Sequence, residues 1–296
     1  MSSTSVWEYQ GCLFPSVKYD TASLDYAWKE FEVRDTDVFN ITYPKSGTTW
    51  MQEILTLIHS NGDPALSHSV PSWERVPWIE HTSGRGYLEH RPSPRLISSH
   101  LPAQLFPKSF FTSKAKAIYT VRNPRDILVS LHFFSGMTGF LDKDEDLDQL
   151  LSKFLRGKVI YGSWFDHIKG WLEVKDHLNL LLLSYEELLQ DLRGSVVRIC
   201  DFLGRQLDEA AIDSVVENAT FKTMKDNKMA NYSLVPKEFM DVQKSAFLRK
   251  GISGDWKNHF TPSMRESFEA AYKEAMKDIK VKFMWDSCQE DGITQR

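Results

Sequence analysis

Residues 43–50 have the sequence Tyr43-Pro44-Lys45-Ser46-Gly47-Thr48-Thr49-Trp50 and separate two different hydrophobic patterns. The run 37–43 before them is rich in β-branched and aromatic residues and predicts a buried strand, which Pro44 to Gly47 interrupt. A helix is predicted to begin near Thr48, because apolar residues recur at helical spacing. Its apolar face is formed by Met51, Ile54, Leu55 and Ile58.

The junction between this strand and this helix has the composition of an anion-binding loop. The free backbone N–H groups of a first helical turn point out of the helix and favour negative charge. Gly47 lets the backbone approach an anion, Ser46, Thr48 and Thr49 add hydroxyl donors, and Lys45 adds a positive charge. The alternative is an ordinary turn with a capping hydroxyl. We favour the anion site because all these groups converge at one helix start.

The loop differs from the phosphate loop of nucleoside triphosphatases and kinases. That loop has the pattern G-x-x-x-x-G-K-[ST], and a separate Asp helps to hold magnesium. Here Lys45 precedes a single Gly47, and the later strand ends in Val121-Arg122 rather than in an acid. The sequence therefore argues against a nucleotide-dependent kinase, which is the alternative enzyme class for such a loop.

The remaining pattern predicts a single α/β domain, because probable strands alternate with helical patterns over most of the chain. Short apolar runs predict three further strands, and helical spacing predicts five further helices. Ligand residues of such sheets collect at the carboxyl ends of the strands. A polar stretch at 222–254, with Pro236, predicts a long loop able to cover a site. The strands are predicted at 95–99, 115–121 and 178–184, and the helices at about 126–134, 147–161, 194–203, 208–217 and 262–277.

Composition excludes several classes of protein. Of the 296 residues, 42% are hydrophobic, which is typical of a globular protein, and the net charge of -4 argues against a nucleic-acid binder. The three cysteines, Cys12, Cys200 and Cys288, are far apart, so neither disulfides nor a zinc site are expected. No Asp, Glu or His cluster has the spacing of metal ligands, and the acidic run 142–148 is interpreted as a solvated loop and first helical turn.

We expect a cytoplasmic location, because no secretory or membrane-spanning segment is predicted. Residues 1–10 are polar and carry Glu8, so no secretory signal is expected, and the longest apolar runs, such as 180–183, are too short for a bilayer. We interpret the glycosylation motifs at Asn40, Asn218 and Asn231 as coincidental. Asn40 in particular falls inside a predicted strand.

Four segments of the chain form a distinctive set. They are residues 43–50, Ser98-Ser99-His100-Leu101-Pro102, Arg122-Asn123-Pro124-Arg125-Asp126 and Arg249-Lys250-Gly251-x-x-Gly254-Asp255-Trp256. In this order and spacing they resemble the cytosolic sulfotransferases, and the resemblance covers about residues 7–285. Residues 94–100 and 161–167 are more similar to the hydroxysteroid or alcohol branch of that family. Phenol and estrogen sulfotransferases usually carry Lys-Thr-His where this chain has Ser98-Ser99-His100.

The resemblance implies a single α/β domain over residues 1–296, with a mainly parallel sheet flanked by helices. It also implies a nucleotide at the strand ends: 3′-phosphoadenylyl sulfate (PAPS) as co-substrate and adenosine 3′,5′-bisphosphate (PAP) as product. It implies that residues 45–49 hold the 5′-phosphosulfate, and that Arg122, Ser130 and residues 249–251 hold the 3′-phosphate. Arg122 could instead pair with a surface acid. The implied contacts are Lys45, Ser46, Gly47, Thr48, Thr49, Trp50, Arg122, Ser130, Tyr185, Thr220, Phe221, Met224, Arg249, Lys250 and Gly251.

The same resemblance implies that Trp50 and Phe221 sandwich the adenine, with Thr220, Met224 and Tyr185 nearby. A purine face suits aromatic stacking. Without the resemblance, Trp50, Phe221 and Met224 would be interpreted as core, which is where most apolar side chains lie.

His100 is the predicted general base for a sulfonate transfer. It follows a predicted strand, and imidazole titrates near neutral pH. In the expected in-line displacement, His100 takes the proton of an acceptor hydroxyl, and Lys45 neutralises charge on the departing bisphosphate. The scheme requires no metal.

The acceptor pocket is expected to be apolar, with a hydroxysteroid or another hydrophobic alcohol as the favoured acceptor. Ser135 stands where the hydroxysteroid branch often has Trp, which points to a wider pocket. A phenol or arylamine sulfotransferase and a non-catalytic nucleotide or steroid carrier remain alternatives. The candidate pocket residues, which could equally be core, are Phe14, Trp73, Trp78, Phe134, Met137 and Tyr232.

Residues 257–266 resemble the short dimerisation motif of the family, which implies a homodimer. Pro262 stands where Val is usual, and proline removes a backbone N–H. A contact that depends on pairing between the two main chains would be weakened.

Overall fold

A four-stranded parallel sheet forms the centre of the computed structural model, which describes residues 6–138, 141 and 146–287. The strands lie in the order β4, β3, β5, β6, and Val38 pairs with Leu96 on one side and with Lys116 on the other. All four predicted strands are confirmed. A separate hairpin, which the sequence did not predict, precedes the sheet. The bounds are β1 Val6–Tyr9, β2 Cys12–Pro15, β3 Val38–Thr42, β4 Leu96–Ser99, β5 Lys116–Val121 and β6 Asn179–Ser184.

Helices connect and cover these strands, and 3-10 turns lie at Ala103–Leu105, Lys108–Thr112, Lys175–His177 and Asp255–Asn258. A π-helical turn, Tyr26–Glu30, continues the first helix. The α-helices are α1 Thr21–Asp25, α2 Thr48–His59, α3 Ala65–Ser69, α4 Ser72–Arg75, α5 Gly84–Leu88, α6 Pro124–Met137, α7 Leu147–Leu155, α8 Trp164–Val174, α9 Tyr185–Gln190, α10 Leu192–Leu203, α11 Glu209–Asn218, α12 Phe221–Asp226, α13 Pro262–Met276 and α14 Met284–Ser287.

The two faces of the sheet belong to two hydrophobic clusters, because successive side chains of a strand point to opposite faces. Phe39 and Tyr119 pack into the larger cluster with residues of α6, α8 and α13. Val38 and Ile118 pack into the other cluster with residues of α2, α10 and α11. The sheet is thus covered by helices on both faces, which confirms the predicted α/β class.

Several predicted segments differ from the structure. The helix predicted at 147–161 ends at Leu155, because Gly157 and Tyr161 have positive φ angles of 67° and 64°. The segment 222–254 is not wholly a loop, since α12 covers its start. Helix α8 was not predicted, and neither were the short helices α1, α3, α4, α5, α9, α12 and α14. Residues 142–145 and Cys288 lie outside the described residues, and α7 begins after an Asp146 cap.

Two smaller expectations concern the surface and the cysteines. Asn40 is wholly buried and its amide donates to the Thr48 carbonyl, so this glycosylation motif lies inside the sheet, as expected. Cys12 and Cys200 are buried free thiols. Within residues 6–138, 141 and 146–287, the helices are all too short or too polar to cross a membrane.

Candidate active site

The loop between β3 and α2 adopts a conformation that depends on glycine. Gly47 has φ 100° and lies at the start of α2, and Lys45 has φ 69°. A Cβ atom on Gly47 would lie 2.9 Å from Cδ2 of Tyr185, closer than a carbon contact allows. The residue at this position therefore needs both a left-handed backbone and no side chain.

Two buried polar atoms at this loop have no hydrogen-bond partner among the described residues. Ser46 is wholly buried, and neither its Oγ nor Nε of Arg122 has a hydrogen-bond partner among the described residues. The other guanidinium nitrogens of Arg122 donate to the carbonyls of Lys45, at 2.9 Å, and Ile252, at 3.2 Å. Unpaired buried donors are costly, and an anion in the loop would satisfy them. The donor set therefore fits a phosphate or sulfonate group.

Lys45 is held in an apolar and positively charged environment. Its Nζ lies 4.1 Å from the ring centroid of Phe134 and 4.7 Å from that of Phe247. Burial, together with Arg122 and Arg249, lowers the pKa of Lys45 to about 7. A negatively charged ligand would favour the ammonium form.

A buried carboxylate orients two further cations at the cavity. Asp255 lies 2.7 Å from Arg249 and 2.6 Å from Lys250. Burial alone would raise the pKa of Asp255, but hydrogen bonds from Lys250, Asn258 and Arg249 outweigh it and lower that pKa below the usual range. Arg249 and Lys250 together carry two positive charges and Asp255 carries one negative charge, so the three groups keep a net positive charge at the cavity.

His100 follows β4 and is held by three hydrogen bonds. Its ring Nδ1 lies 2.7 Å from the Thr42 carbonyl oxygen. Its main-chain N–H donates to Glu80 Oε1 at 2.8 Å, and its main-chain carbonyl accepts from His167 Nε2 at 3.1 Å. A carbonyl oxygen can only accept, so Nδ1 carries the ring proton and Nε2 keeps the lone pair. Burial lowers the pKa of His100 to about 3. The imidazole is therefore neutral at neutral pH and can accept a proton at Nε2.

A cavity of about 730 Å³ brings the predicted residues together. Three predicted residues, Ser46, Phe14 and Met137, do not line this cavity. The predicted residues that line it are Lys45, Gly47, Thr48, Thr49, Trp50, Trp73, Trp78, His100, Arg122, Ser130, Phe134, Tyr185, Thr220, Phe221, Met224, Tyr232, Arg249, Lys250 and Gly251.

Phe14 and Met137 are corrections to the predicted pocket. Phe14 is wholly buried in β2, where its ring packs 5.2 Å from that of Tyr161. Met137 is the last residue of α6 and lines a small adjoining pocket that shares Phe134 and Phe247 with the cavity. Apolar residue type predicted burial for both, but could not tell which side of the core each one faces.

Three aromatic residues, Trp50, Tyr185 and Phe221, line the cavity together with Gly251, and we call this part of the lining the aromatic slot. Trp50 donates from Nε1 to the Ala219 carbonyl at 2.7 Å, and its ring meets Tyr185 edge to face at 5.2 Å. Gly251, with φ 66°, packs so closely on Phe221 that a Cβ would lie 2.2 Å from the ring. The slot is adjacent to the cationic residues and suits a flat heterocycle.

The cavity also has an apolar part, which is lined by further aromatic residues and contacts His100. The Trp78 ring lies 4.4 Å from the His100 ring, Tyr232 stacks on Phe247 at 4.0 Å, and Trp73 lies 5.1 Å from Tyr232. The base thus stands where the anion-binding half of the cavity meets the apolar half. This arrangement can transfer an anionic group to a hydroxyl of an apolar molecule.

Several lining residues escaped the sequence analysis, among them Tyr19, His81, Tyr161 and Phe247. Phe247 immediately precedes Leu248 and the basic segment at 249–251, so an aromatic residue beside that segment was an available signal. No sequence signal marked Tyr19 or His81, because their position at the cavity depends on how segments that are distant in sequence fold together.

Comparison with known proteins gives the family. The family model described as "Sulfotransferase domain" matches residues 35–280. Sulfotransferase 2B1 of Homo sapiens is 53% identical over 97% of this chain and 78% of its own length. The 3-beta-hydroxysteroid sulfotransferase of Cavia porcellus is 47% identical over 97% of this chain and 100% of its own length.

A solved structure gives the same result. Mouse sulfotransferase SULT7A1, crystallised with PAP, matches with a TM-score of 0.79 and 29% identity over 97% of this chain and 98% of that one. The anion-binding loop, the base and the apolar cavity described above are thus found in a chain that matches this family over most of its length. The chain belongs to the sulfotransferase family.

Proposed function

We propose that this chain transfers the sulfonate group of PAPS to the hydroxyl of a hydroxysteroid or a similar hydrophobic alcohol. The observation that carries the proposal is the neutral His100 imidazole, with its Nε2 lone pair, at the boundary between the anion-binding loop and the apolar cavity. A base at that boundary lies close to the expected positions of both PAPS and the acceptor hydroxyl.

In the proposed step, Nε2 of His100 removes the proton from the acceptor hydroxyl. The acceptor oxygen forms a bond to sulfur while the bond between sulfur and the bridging oxygen breaks in line. The electron pair of the broken bond stays on the phosphate oxygen of PAP. Lys45, in its ammonium form, stabilises that charge, as do the N–H groups at the start of α2. Because the protein itself supplies these cations, the step needs no metal.

For the nucleotide, we assign the cationic residues to the phosphates and the aromatic slot to the adenine. Lys45 to Thr49 would hold the 5′-phosphosulfate. Arg122, Ser130 and the segment 249–251 would hold the 3′-phosphate, with Trp50 and Phe221 on the adenine faces. The unpartnered Arg122 Nε supports this assignment, because a bound 3′-phosphate would accept a hydrogen bond from it.

The acceptor class rests on the apolar half of the cavity and on the relatives. Trp73, Trp78, Phe134 and Tyr232 line this half, as expected for a large apolar alcohol. One relative is named as a 3-beta-hydroxysteroid sulfotransferase, and a structure of retinol dehydratase, 25% identical, contains both androsterone and PAP. A phenol acceptor is the less favoured alternative, since the motif Ser98-Ser99-His100 differs from that of phenol enzymes.

The test is transfer of labelled sulfonate from PAPS, with EDTA present, to a hydroxysteroid, a long-chain alcohol, a simple phenol and an arylamine. We expect the hydroxysteroid to give the highest kcat/KM. Preference for the phenol would overturn the acceptor class. Tight PAP binding without transfer to any acceptor would support a carrier instead.

We also propose a cytosolic homodimer. Two buried free thiols, Cys12 and Cys200, are compatible with a reducing compartment. Pro262 occupies the first turn of α13, where a missing N–H costs the helix nothing, so the segment 257–266 keeps its local shape. Light scattering of the purified chain tests the dimer, and cell fractionation tests the location.

A further inference from the structure

Glu80 is a buried carboxylate beside the base that has no part in the proposed chemistry. It is wholly buried, and its Oε1 accepts the N–H of His100 at 2.8 Å. Burial raises the pKa of Glu80 to about 7, although hydrogen bonds from the His100 N–H and from the Ser99 and Tyr161 hydroxyls oppose the rise. Its Oε2 has no hydrogen-bond partner among the described residues, so the bonds at Oε1 are what fixes the carboxyl group relative to His100.

The main chain around Glu80 is attached to the edge of the sheet. Ser98 donates to the Pro77 carbonyl at 2.8 Å, and Ile79 donates to the Ser98 carbonyl at 3.1 Å. Trp78 and Ser98 form a parallel bridge. The segment therefore runs beside β4 and brings the Glu80 carboxylate to the point where β4 ends and His100 begins.

Tyr161 contacts both the base and this carboxylate. Its ring meets the His100 ring edge to face at 5.0 Å, and its hydroxyl lies 3.4 Å from Glu80 Oε1. The same hydroxyl lies 2.5 Å from that of Tyr19, which reaches His81 at 2.7 Å. Tyr161 has φ 64°, an uncommon conformation for a residue with a side chain, and such residues cluster at functional sites.

We propose that Glu80 and Tyr161 are positioning residues that set the direction of the His100 lone pair toward the acceptor hydroxyl. The inference rests on the proposed sulfonate transfer. Thr42 holds the ring of His100 at Nδ1, and Glu80 holds its main chain. Tyr161 packs against the imidazole ring, and its hydroxyl contacts Glu80 Oε1, so removal of the hydroxyl alone loosens Glu80. Loss of either residue leaves the nucleotide loop intact and lets the imidazole rotate or shift, which slows only the chemical step.

The experiment is single-turnover transfer from preloaded PAPS, with PAP affinity and thermal unfolding measured on the same samples. We expect Glu80→Ala to lower the transfer rate by about 10- to 100-fold, because small displacements of a reacting group cost that much. Glu80→Gln keeps an oxygen acceptor for the His100 N–H, and we expect its rate to stay within about 3-fold of the unmodified chain. PAP affinity should change less than about 2-fold in all variants.

Tyr161→Phe keeps the ring contact but removes the hydroxyl, and we expect a loss of about 3- to 10-fold in rate. This variant tests the proposal even if Glu80→Ala does not fold. The matched control is Tyr272→Phe, which removes a buried hydroxyl that bonds to Asp286 and Trp285 away from the cavity. We expect its rate to equal that of the unmodified chain.

Three results would overturn the inference: an unchanged transfer rate in Glu80→Ala or Tyr161→Phe, an equal loss in Glu80→Gln and Glu80→Ala, or a parallel loss of PAP affinity. Failure of the proposed function looks different, because the unmodified chain would then transfer no sulfonate to any acceptor.

Discussion

The Nδ1 atom of His100 lies 2.7 Å from the carbonyl oxygen of Thr42, the last residue of β3. This bond connects the two neighbouring strands β3 and β4 at their carboxyl ends, and it fixes which nitrogen of the imidazole is free to accept a proton. The strand that leads into the anion-binding loop therefore also determines the tautomer of the base.

His100→Ala should bind PAP as tightly as the unmodified chain and lose sulfonate transfer. Removing a general base costs about 10²- to 10⁴-fold in rate. The nucleotide loop does not depend on the imidazole, so titration with PAP should give an unchanged Kd. Normal turnover in this variant would rule out His100 as the base.

The pH profile of kcat/KM for PAPS should fall on the alkaline side and stay flat on the acid side. This parameter reports groups of the free enzyme. Lys45, whose pKa is about 7, loses its charge as pH rises through 7, whereas His100, whose pKa is about 3, stays unprotonated down to about pH 5.

Lys45→Met is the control for this profile. It should lower kcat/KM and remove the alkaline fall, because no ammonium group is left to titrate. If kcat/KM of Lys45→Met still fell with rising pH, the alkaline part of the profile would belong to another titrating group.

Arg122→Met should weaken PAP binding more than binding of adenosine 5′-phosphate. A charge-assisted contact to the 3′-phosphate is available only with PAP. The Kd of adenosine 5′-phosphate divided by the Kd of PAP should therefore fall by at least about 10-fold. Arg198→Met is the control, because Arg198 forms an exposed ion pair with Glu187. Undiminished discrimination in Arg122→Met would contradict the assignment.

Gly251→Ala should weaken PAP binding by about 10-fold or more, since its methyl group would collide with the Phe221 ring at 2.2 Å and push it into the adenine slot. Gly254→Ala separates this collision from backbone strain. Gly254 also has a positive φ, of 83°, but no atom lies within 4 Å of its added Cβ. Equal losses of PAP affinity in both variants would show that strain alone is responsible.

The sequence predicted the parts of the site that depend on short-range order. The strand, loop and helix at 37–59, the loop cations and the position of His100 after a strand all follow from contiguous patterns. The helix bound at Leu155 was missed because the apolar spacing of 147–161 continues past the residue where Gly157 turns the chain.

Parts of the site that depend on long-range packing could not be predicted. Apolar type alone does not distinguish Phe14, which faces the core, from Phe134, which faces the cavity. Glu80 carries no motif, and its relation to His100 depends on a segment that pairs with β4 from 20 positions earlier in the chain. Its role is visible only in three dimensions.

The apolar surroundings of Lys45 have a thermodynamic consequence for nucleotide capture. Above pH 7 much of the free enzyme holds this side chain as a neutral amine. A bound polyanion raises its pKa, so binding takes up a proton from solution. The calorimetric heat of PAP binding at pH 7.5 should accordingly vary with the ionisation enthalpy of the buffer, and Lys45→Met should abolish that variation. Proton uptake would then make capture of the nucleotide stronger as the solution becomes more acidic toward pH 7.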